Sequence, residues 1–571
     1  MNVIRVTLLV YFGSLCFSLS QVVPSESLVN WTLGTTVGVQ GGIPDRQTIY
    51  TTLAAGSTAA QINTAIANCP SNQVVKLGAG TFNLSAPLTI YNNGVTVRGS
   101  GSGAGGTLLK PSGNAFTIGA ISYPDGGTIS ITSGYAKGAT NLTLTSAATV
   151  SVGEVVKIDQ VMDTSFMWSS DGTGVRTVTQ HAIITAKNSN VITIWPPLFY
   201  GLTPANTPQV HKFTGDFTRM SGIEDLKIDL SGGADYFVMM FNDINCWMKN
   251  VQETNGNGYY NYWDYTLFCE FVKNNLNGPT SFGPNHGGLL LGQVGIYNNA
   301  ALGCTAAAVY DNIFIKVGPG IEVNTGSAGC IISYNFCYDG DYGTMQLPGI
   351  DLNHSAENMF NLYEGNLVNM FSSDGYFGGE CYDTVFRNWS TGWTPTHPTD
   401  QSIGIALLER SMYDNVVGNV FGITNNATPV RFAPDNDFDL ATPYIYILGV
   451  NKSVSDSYNG GAFDAGVSNT MTFHSNWDSN QKAIDWGTNS SHTLPNSLYL
   501  AGKPTWFYSL SWPPFNPTTG YTNEYWNSIP AGYRYLNSGN DPPPDTSTPV
   551  SSASIGTGTV RVSNGKVILS Q

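Results

Sequence analysis

Apolar and polar positions alternate with period two over short stretches of this chain, separated by polar or glycine-rich turns. Cys330-Ile331-Ile332-Ser333-Tyr334 is one such stretch. Alternation of this kind predicts strands, and no long i, i+3, i+4, i+7 stripe interrupts it. A short helix is predicted over residues 57–67, where Ile62 and Ile66 share a face and Ser57 or Thr58 can cap the start. An asparagine recurs inside the strand-like stretches, at Asn250, Asn274, Asn312, Asn335, Asn366, Asn388 and Asn419. The intervals are 24, 38, 23, 31, 22 and 31 residues, so the longer ones hold the same unit plus a loop. Cys246, Cys269 and Cys330 lie four or five residues before three of these asparagines. A unit of 22–24 residues built from short strands predicts a right-handed single-stranded parallel β-helix, an all-β fold with coils about 4.8 Å apart. The asparagines should then stack inside the turns, with Cys246 and Cys269 adjacent in the bore.

The pattern begins early, in VVKLGAGTFNLSAPLTIYNNGVTVRGSGSGAGGTLL from Val74 onward, and returns in Gly222-Ile223-Glu224-Asp225-Leu226-Lys227-Ile228-Asp229. These phrases resemble the opening and re-entry coils of the pectate-lyase-like superfamily of secreted β-helix proteins. The resemblance covers about residues 40–425 at the level of fold, and it implies a polysaccharide substrate. The R-x-P-x-x-R phrase of the lyases and the paired-Asp phrases of the polygalacturonases are both missing. A lyase of this superfamily would need an Arg or Lys base near calcium-binding acids. Residues 128–215 have a different texture of alternating strands and are expected to form a small β-domain inserted into the helix. The N-terminal region with its capping helix and first coils spans 21–127, and the main β-helix 216–425. C-terminal coils and an aromatic-rich cap span 426–539. A Pro-rich linker and short tail, 540–571, end the chain, with a hairpin signal at Asn564-Gly565.

Composition narrows the classes further. Charged residues are 11% and aromatics 12%, the reverse of a disordered chain. The formal charge of −15 leaves no basic surface for nucleic acid. Residues 6–19 are apolar behind the single charge of Arg5, and Ser18 and Ser20 suit a cut after Ser20. This reads as a secretory signal, too short for a membrane span, and no later apolar run of about 18 residues follows. The expected location is extracellular, or periplasmic in a bacterium. Seven cysteines remain after the cut, an odd number with no C-x-x-C spacing. They are expected to pack as small apolar residues.

The candidate chemistry comes from aligning the coils on their asparagines. Glu322 lies 13 residues before Asn335, Asp351 lies 15 before Asn366, and Asp374 lies 14 before Asn388. Three acids at one offset are expected to form a column on successive coils. Glycoside hydrolysis needs two carboxylates, and stacked acids raise one another's pKa, which suits a general acid. His354, three residues after Asp351, is expected to support them. Trp263, Tyr265 and Tyr376, with Tyr259, Tyr260, Tyr262 and Phe377, are candidates for stacking on sugars. Asp339 and Asp341 are candidates for a cation. The leading reading is a secreted enzyme that hydrolyses a polysaccharide and needs no cofactor. Its competitors are a calcium-using polysaccharide lyase and a non-catalytic β-helix adhesin.

Overall fold

The computed structural model describes residues 22–231, 236–256, 261–278, 287–292, 301, 303–340, 346–394, 402–423, 428–434, 441–450 and 463–545. It also describes the backbone of two terminal strands, Thr559–Ser563 and Lys566–Ser570, which pair antiparallel. The chain is a right-handed parallel β-helix. Each full coil contributes to three parallel ladders. Two of them form the back sheet, for example Ile331–Ser333 on Leu362–Glu364 and Phe336–Tyr338 on Leu367–Val368. The third forms an eleven-stranded front sheet, which includes Leu289–Leu291, Ile321–Val323, Ile350–Asn353 and Phe371–Ser373. Inward residues of all three fill one continuous apolar bore, from Ile62 and Ile66 of the first helix to Ile445 and Val467. That helix, Ala59–Asn68, starts in a Thr58–Gln61 capping box and covers the end of the bore, where strand edges would otherwise be open.

The two back ladders are joined by a corner that explains the asparagine repeat. A residue of positive φ turns the chain, as at Lys273, Asp311, Tyr334, Gly365, Arg387, Gly418 and Ser475. The following Asn points inward. Its Oδ1 accepts the backbone N–H of the Asn on the preceding coil: Asn274 to Asn312 at 2.8 Å, Asn335 to Asn366 at 3.0 Å, Asn388 to Asn419 at 2.9 Å. Its Nδ2 donates to a carbonyl, as from Asn335 to Val309 O at 2.9 Å. Asn250 is a correction to the expected series. It occupies the positive-φ place itself, at 53°, and bonds Asp225, while Val251 takes the inward place and donates to Asn274 Oδ1. The ladder instead gains a rung at Asn476, 57 residues after Asn419.

Replacing Asn335 by Leu would orphan the Asn312 and Val309 backbone groups inside the bore. The expected loss is about 1–3 kcal/mol per group, read as a clear fall in the thermal midpoint. An unchanged midpoint would contradict the ladder's structural role.

Cys246 and Cys269 precede the paired Trp247 and Glu270, so they stand on adjoining coils, and all seven described cysteines are free and buried. Strands from Thr128–Ser133 to Gln209–Lys212 close an antiparallel barrel with its own core, including Leu142, Val156, Ile184 and Ile194. On the face of the barrel strands turned away from that core, Asp159 is held by Lys157, Arg176 and His211. The aromatic C-terminal segment runs back along the outside of the back sheet. Leu498 N–H donates to Glu364, Arg534 pairs with Asp311 at 2.8 Å, and Trp526 packs on Trp389 at 4.8 Å. Among the described residues no helix is long and apolar enough to cross a membrane.

Candidate functional site

Alternation along the front sheet decides which side chains leave the bore. Ile321 and Val323 point in, so Glu322 points out; Ile350 and Leu352 point in, so Asp351 points out. The register sets Glu322 directly beside Asp351 on the next coil, and Asp351 beside Ser372. Pairing shifts between Asp351 and Asn353, and a bulge of this kind re-aims the residues that follow it. They are His354 and, one coil on, Asp374, whose N–H donates to Asn353 O at 3.2 Å.

His354 Nδ1 is hydrogen-bonded to Asp374 Oδ2. The imidazole lies against the Tyr376 ring, 5.8 Å between centroids and 20° between planes, and meets Phe377 edge-on at 5.2 Å. Asp374 Oδ1 accepts the Tyr376 N–H at 2.8 Å, which ties this ring to the same carboxylate. Asp351, His354 and Asp374 each offer one ligand atom, all within 4.8 Å of one another. Asp351 is 4% exposed and Glu322 3%, whereas the side chains of Asp374 and His354 are 16% and 28% exposed.

These environments push the groups apart. Burial, then Asp374 and Glu322, hold the Asp351 carboxyl well above the carboxylate range against the pull of His354. Burial likewise raises Glu322. Burial alone would discharge His354, but Asp374, Glu322 and Asp351 outweigh it and push its pKa up to about 10. The result is a carboxyl with a raised pKa beside a His–Asp pair, an arrangement suited to proton transfer. The same three side chains are also a donor set for a divalent cation. One nitrogen among three ligands is a poor match for calcium, which prefers six to eight oxygens.

The structure gathers Glu322, Asp351, His354, Asp374 and Tyr376 on the front sheet and separates the rest. Trp263 is a correction: it is fully buried in the bore, edge-on to Phe271 at 5.9 Å. Its neighbour Tyr262 takes the outward place, because adjacent strand residues face opposite ways. Tyr265 is a second correction, since it is buried beneath the barrel among His181, Phe213 and Tyr123. Asp339 follows the back strand Phe336–Tyr338, on the side covered by Trp526 and Tyr535 rather than on the front sheet. Asp341, Tyr259 and Tyr260 lie outside the described residues.

Sequence reasoning missed Asn353. It is buried, donates from Nδ2 to Gly378 O at 2.7 Å, and accepts from Ser355 N–H and Asn358 Nδ2. Asp351 Oδ1 in turn accepts the Asn353 N–H at 3.4 Å. Its neighbours in sequence carry no signal of this role, which exists only after the coils stack.

No family model matches the chain, and no curated protein matches it by sequence. Solved structures resemble it at low identity. The tailspike of Pseudomonas phage phi297 is 13% identical with a TM-score of 0.41, over 65% of this chain and 64% of the tailspike. An alginate lyase from a Paenibacillus species is 12% identical with a TM-score of 0.37, over 70% and 99%. A polygalacturonase from Erwinia carotovora is 13% identical with a TM-score of 0.28, over 69% and 85%. The chain thus spans just under two thirds of the phi297 tailspike. The likeness is one of fold alone, a parallel β-helix.

Proposed function

We propose that this chain is a secreted enzyme that cuts a polysaccharide by glycoside hydrolysis, with Asp351 and Asp374 as its two carboxyl groups. The observation that carries the reading is their pairing: a buried carboxyl lies with one oxygen within 4.8 Å of an oxygen of a more exposed carboxyl that is held by His354. Asp351 gives its proton to the glycosidic oxygen as the bond to the anomeric carbon breaks. Glu322, directly beside it, raises the cost of losing that proton. One oxygen of each lies within 4.8 Å of the other, which supports the close pairing of retaining enzymes, about 5–5.5 Å, over the about 6.5–9.5 Å of inverting ones. Asp374 therefore attacks the anomeric carbon, and a water later releases the sugar with Asp351 acting as base. His354 orients Asp374 through its ring nitrogen, while Tyr376 and Phe377 frame the imidazole. The net charge of −15 favours a neutral glycan over a polyanion. The apolar residues 6–19 support export.

The test is release of reducing ends from a panel of polysaccharides. Cleavage is expected without the ultraviolet absorbance of unsaturated products, without loss of rate in EDTA, and with the anomeric configuration retained in the first product seen by NMR. Unsaturated products that require calcium would establish the lyase instead. A panel left wholly intact would favour the adhesin.

A further inference from the structure

The front-sheet site is stitched to the inserted barrel. Loop 163–172 leaves the barrel after Val155–Gln160, turns on Asp163, whose backbone oxygen accepts the Met167 N–H at 2.9 Å, and reaches across to the segment that follows Asp374. There Ser169 and Gly378 form an antiparallel bridge. Ser170 N–H donates to Phe377 O at 2.9 Å, and Gly379 N–H donates to Trp168 O at 3.1 Å. Trp168 N–H donates to the buried Glu357 at 2.9 Å. Phe166 meets the parallel rings of Tyr382 and Tyr413 edge-on at 6.5 and 5.4 Å, which anchors the loop on a rigid stack. From the other side, Asn353 Nδ2 holds Gly378 O. Gly378 is required by this crowding: a Cβ there would lie 2.2 Å from the Ala356 Cβ and 2.7 Å from Trp168 O.

Resting on the hydrolase reading above, we propose that the barrel is a working part of the site. Its loop clamps residues 374–379 in the conformation that seats Asp374 against His354, with Gly378 and Asn353 as positioning residues. The segment between Asp374 and Gly378 carries both rings that frame the imidazole, so its freedom is the freedom of the nucleophile. A glycine-containing surface turn bounded on one side only would sample several conformations. Here it is pinned by the barrel on one side and by the bulged strand on the other.

Ser170→Pro removes the donor to Phe377, and Gly378→Ala breaks the bridge by contact. Hydrogen exchange followed by mass spectrometry reads the clamp without any substrate. Amides of residues 375–380 are expected to exchange at least about tenfold faster in both variants, with the barrel strand Val155–Gln160 and the bore strands unchanged. On a polysaccharide that the parent hydrolyses, kcat is expected to fall about a hundredfold with KM nearly constant, because misplacement of a reacting group weakens the transition state more than binding. Ser170→Ala keeps the amide and should restore parental exchange and turnover. The proposal is overturned if exchange at 375–380 is parental in both Ser170→Pro and Gly378→Ala, or if it rises while kcat does not move. It is overturned too if Ser170→Ala behaves like the proline variant. Should the parent hydrolyse nothing, the hydrolase reading fails and the exchange result alone decides the clamp.

Discussion

Asp351→Asn and Asp374→Asn are each expected to lower turnover by about 10²–10⁴-fold while the protein remains folded. The two losses have different origins. Burial and its acidic neighbours push the Asp351 carboxyl well above the carboxylate range, which favours its protonated form. Asparagine has the same shape and the neutrality of that form, so the coil packs as before and only the transferable proton is gone. The thermal midpoint of that variant should match or exceed the parent's. Asp374→Asn removes the nucleophile and the ion pair together. His354 then loses its largest source of positive shift, and its pKa should fall from about 10 toward the ordinary histidine range. Glu322→Gln removes a neighbour that helps keep Asp351 protonated, so the alkaline limb of the pH–rate profile should move to lower pH with a smaller loss of rate. Steady-state kinetics and thermal unfolding on the same preparations separate these cases. Parental activity in both Asn variants, on a substrate that the parent cleaves, would remove the two carboxyl groups from the mechanism.

The repeat was legible because an inward asparagine at a coil corner is close to obligatory. It satisfies a backbone N–H on one coil and a carbonyl on another, and few side chains do both. Asn250 shows the limit of that signal. Asparagine also tolerates positive φ better than most residues, so the corner residue and the rung after it both select it. The acids were legible through their similar offsets from the rungs, 13 to 15 residues, yet their partnership was not. A common offset implies one column, whereas the register puts Ser372 beside Asp351, and Asp374 enters only after the pairing shift at Asn353. Tyr262, Trp263 and Tyr265 offered three aromatics within four residues, and alternation alone could not say which one the bore would take. The clamp on Gly378 left no trace at all, because backbone groups make it between segments some 200 residues apart.

Stability is expected to fall as pH rises from about 5 to about 8, the reverse of what ionised surface acids would give. The cause is a second inward column that begins like the asparagine ladder and ends in acids. Cys330 N–H donates to Asn361 Oδ1 at 3.0 Å, Asn361 N–H to Asp383 Oδ1 at 2.7 Å, and Asp383 N–H to Asp414 Oδ1 at 3.0 Å. Asp383 and Asp414 occupy rungs where Asn361 shows that a neutral amide fits, and both are buried. Burial pushes Asp383 up to about 8, and burial with the charge of Asp383 pushes Asp414 well above its ordinary value. Glu270 and Glu364 are pushed by burial to about 7. In the unfolded chain these groups titrate near pH 4, so between about 4 and 8 the folded state binds more protons. Stability from each is full below the unfolded pKa and is lost as pH climbs through the folded one, on the order of 5 kcal/mol for a shift like that of Asp383. Asp159 sets the opposite limit. Burial would raise it, but Lys157, His211 and Arg176 hold it below the usual range, so its contribution is lost on strong acidification. Asp383→Asn should therefore raise the thermal midpoint at pH 8, leave it nearly unchanged at pH 4, and flatten the profile between. A parent midpoint that is level across this range, or an Asn variant that melts earlier at pH 8, would show that these rungs carry charge in the fold.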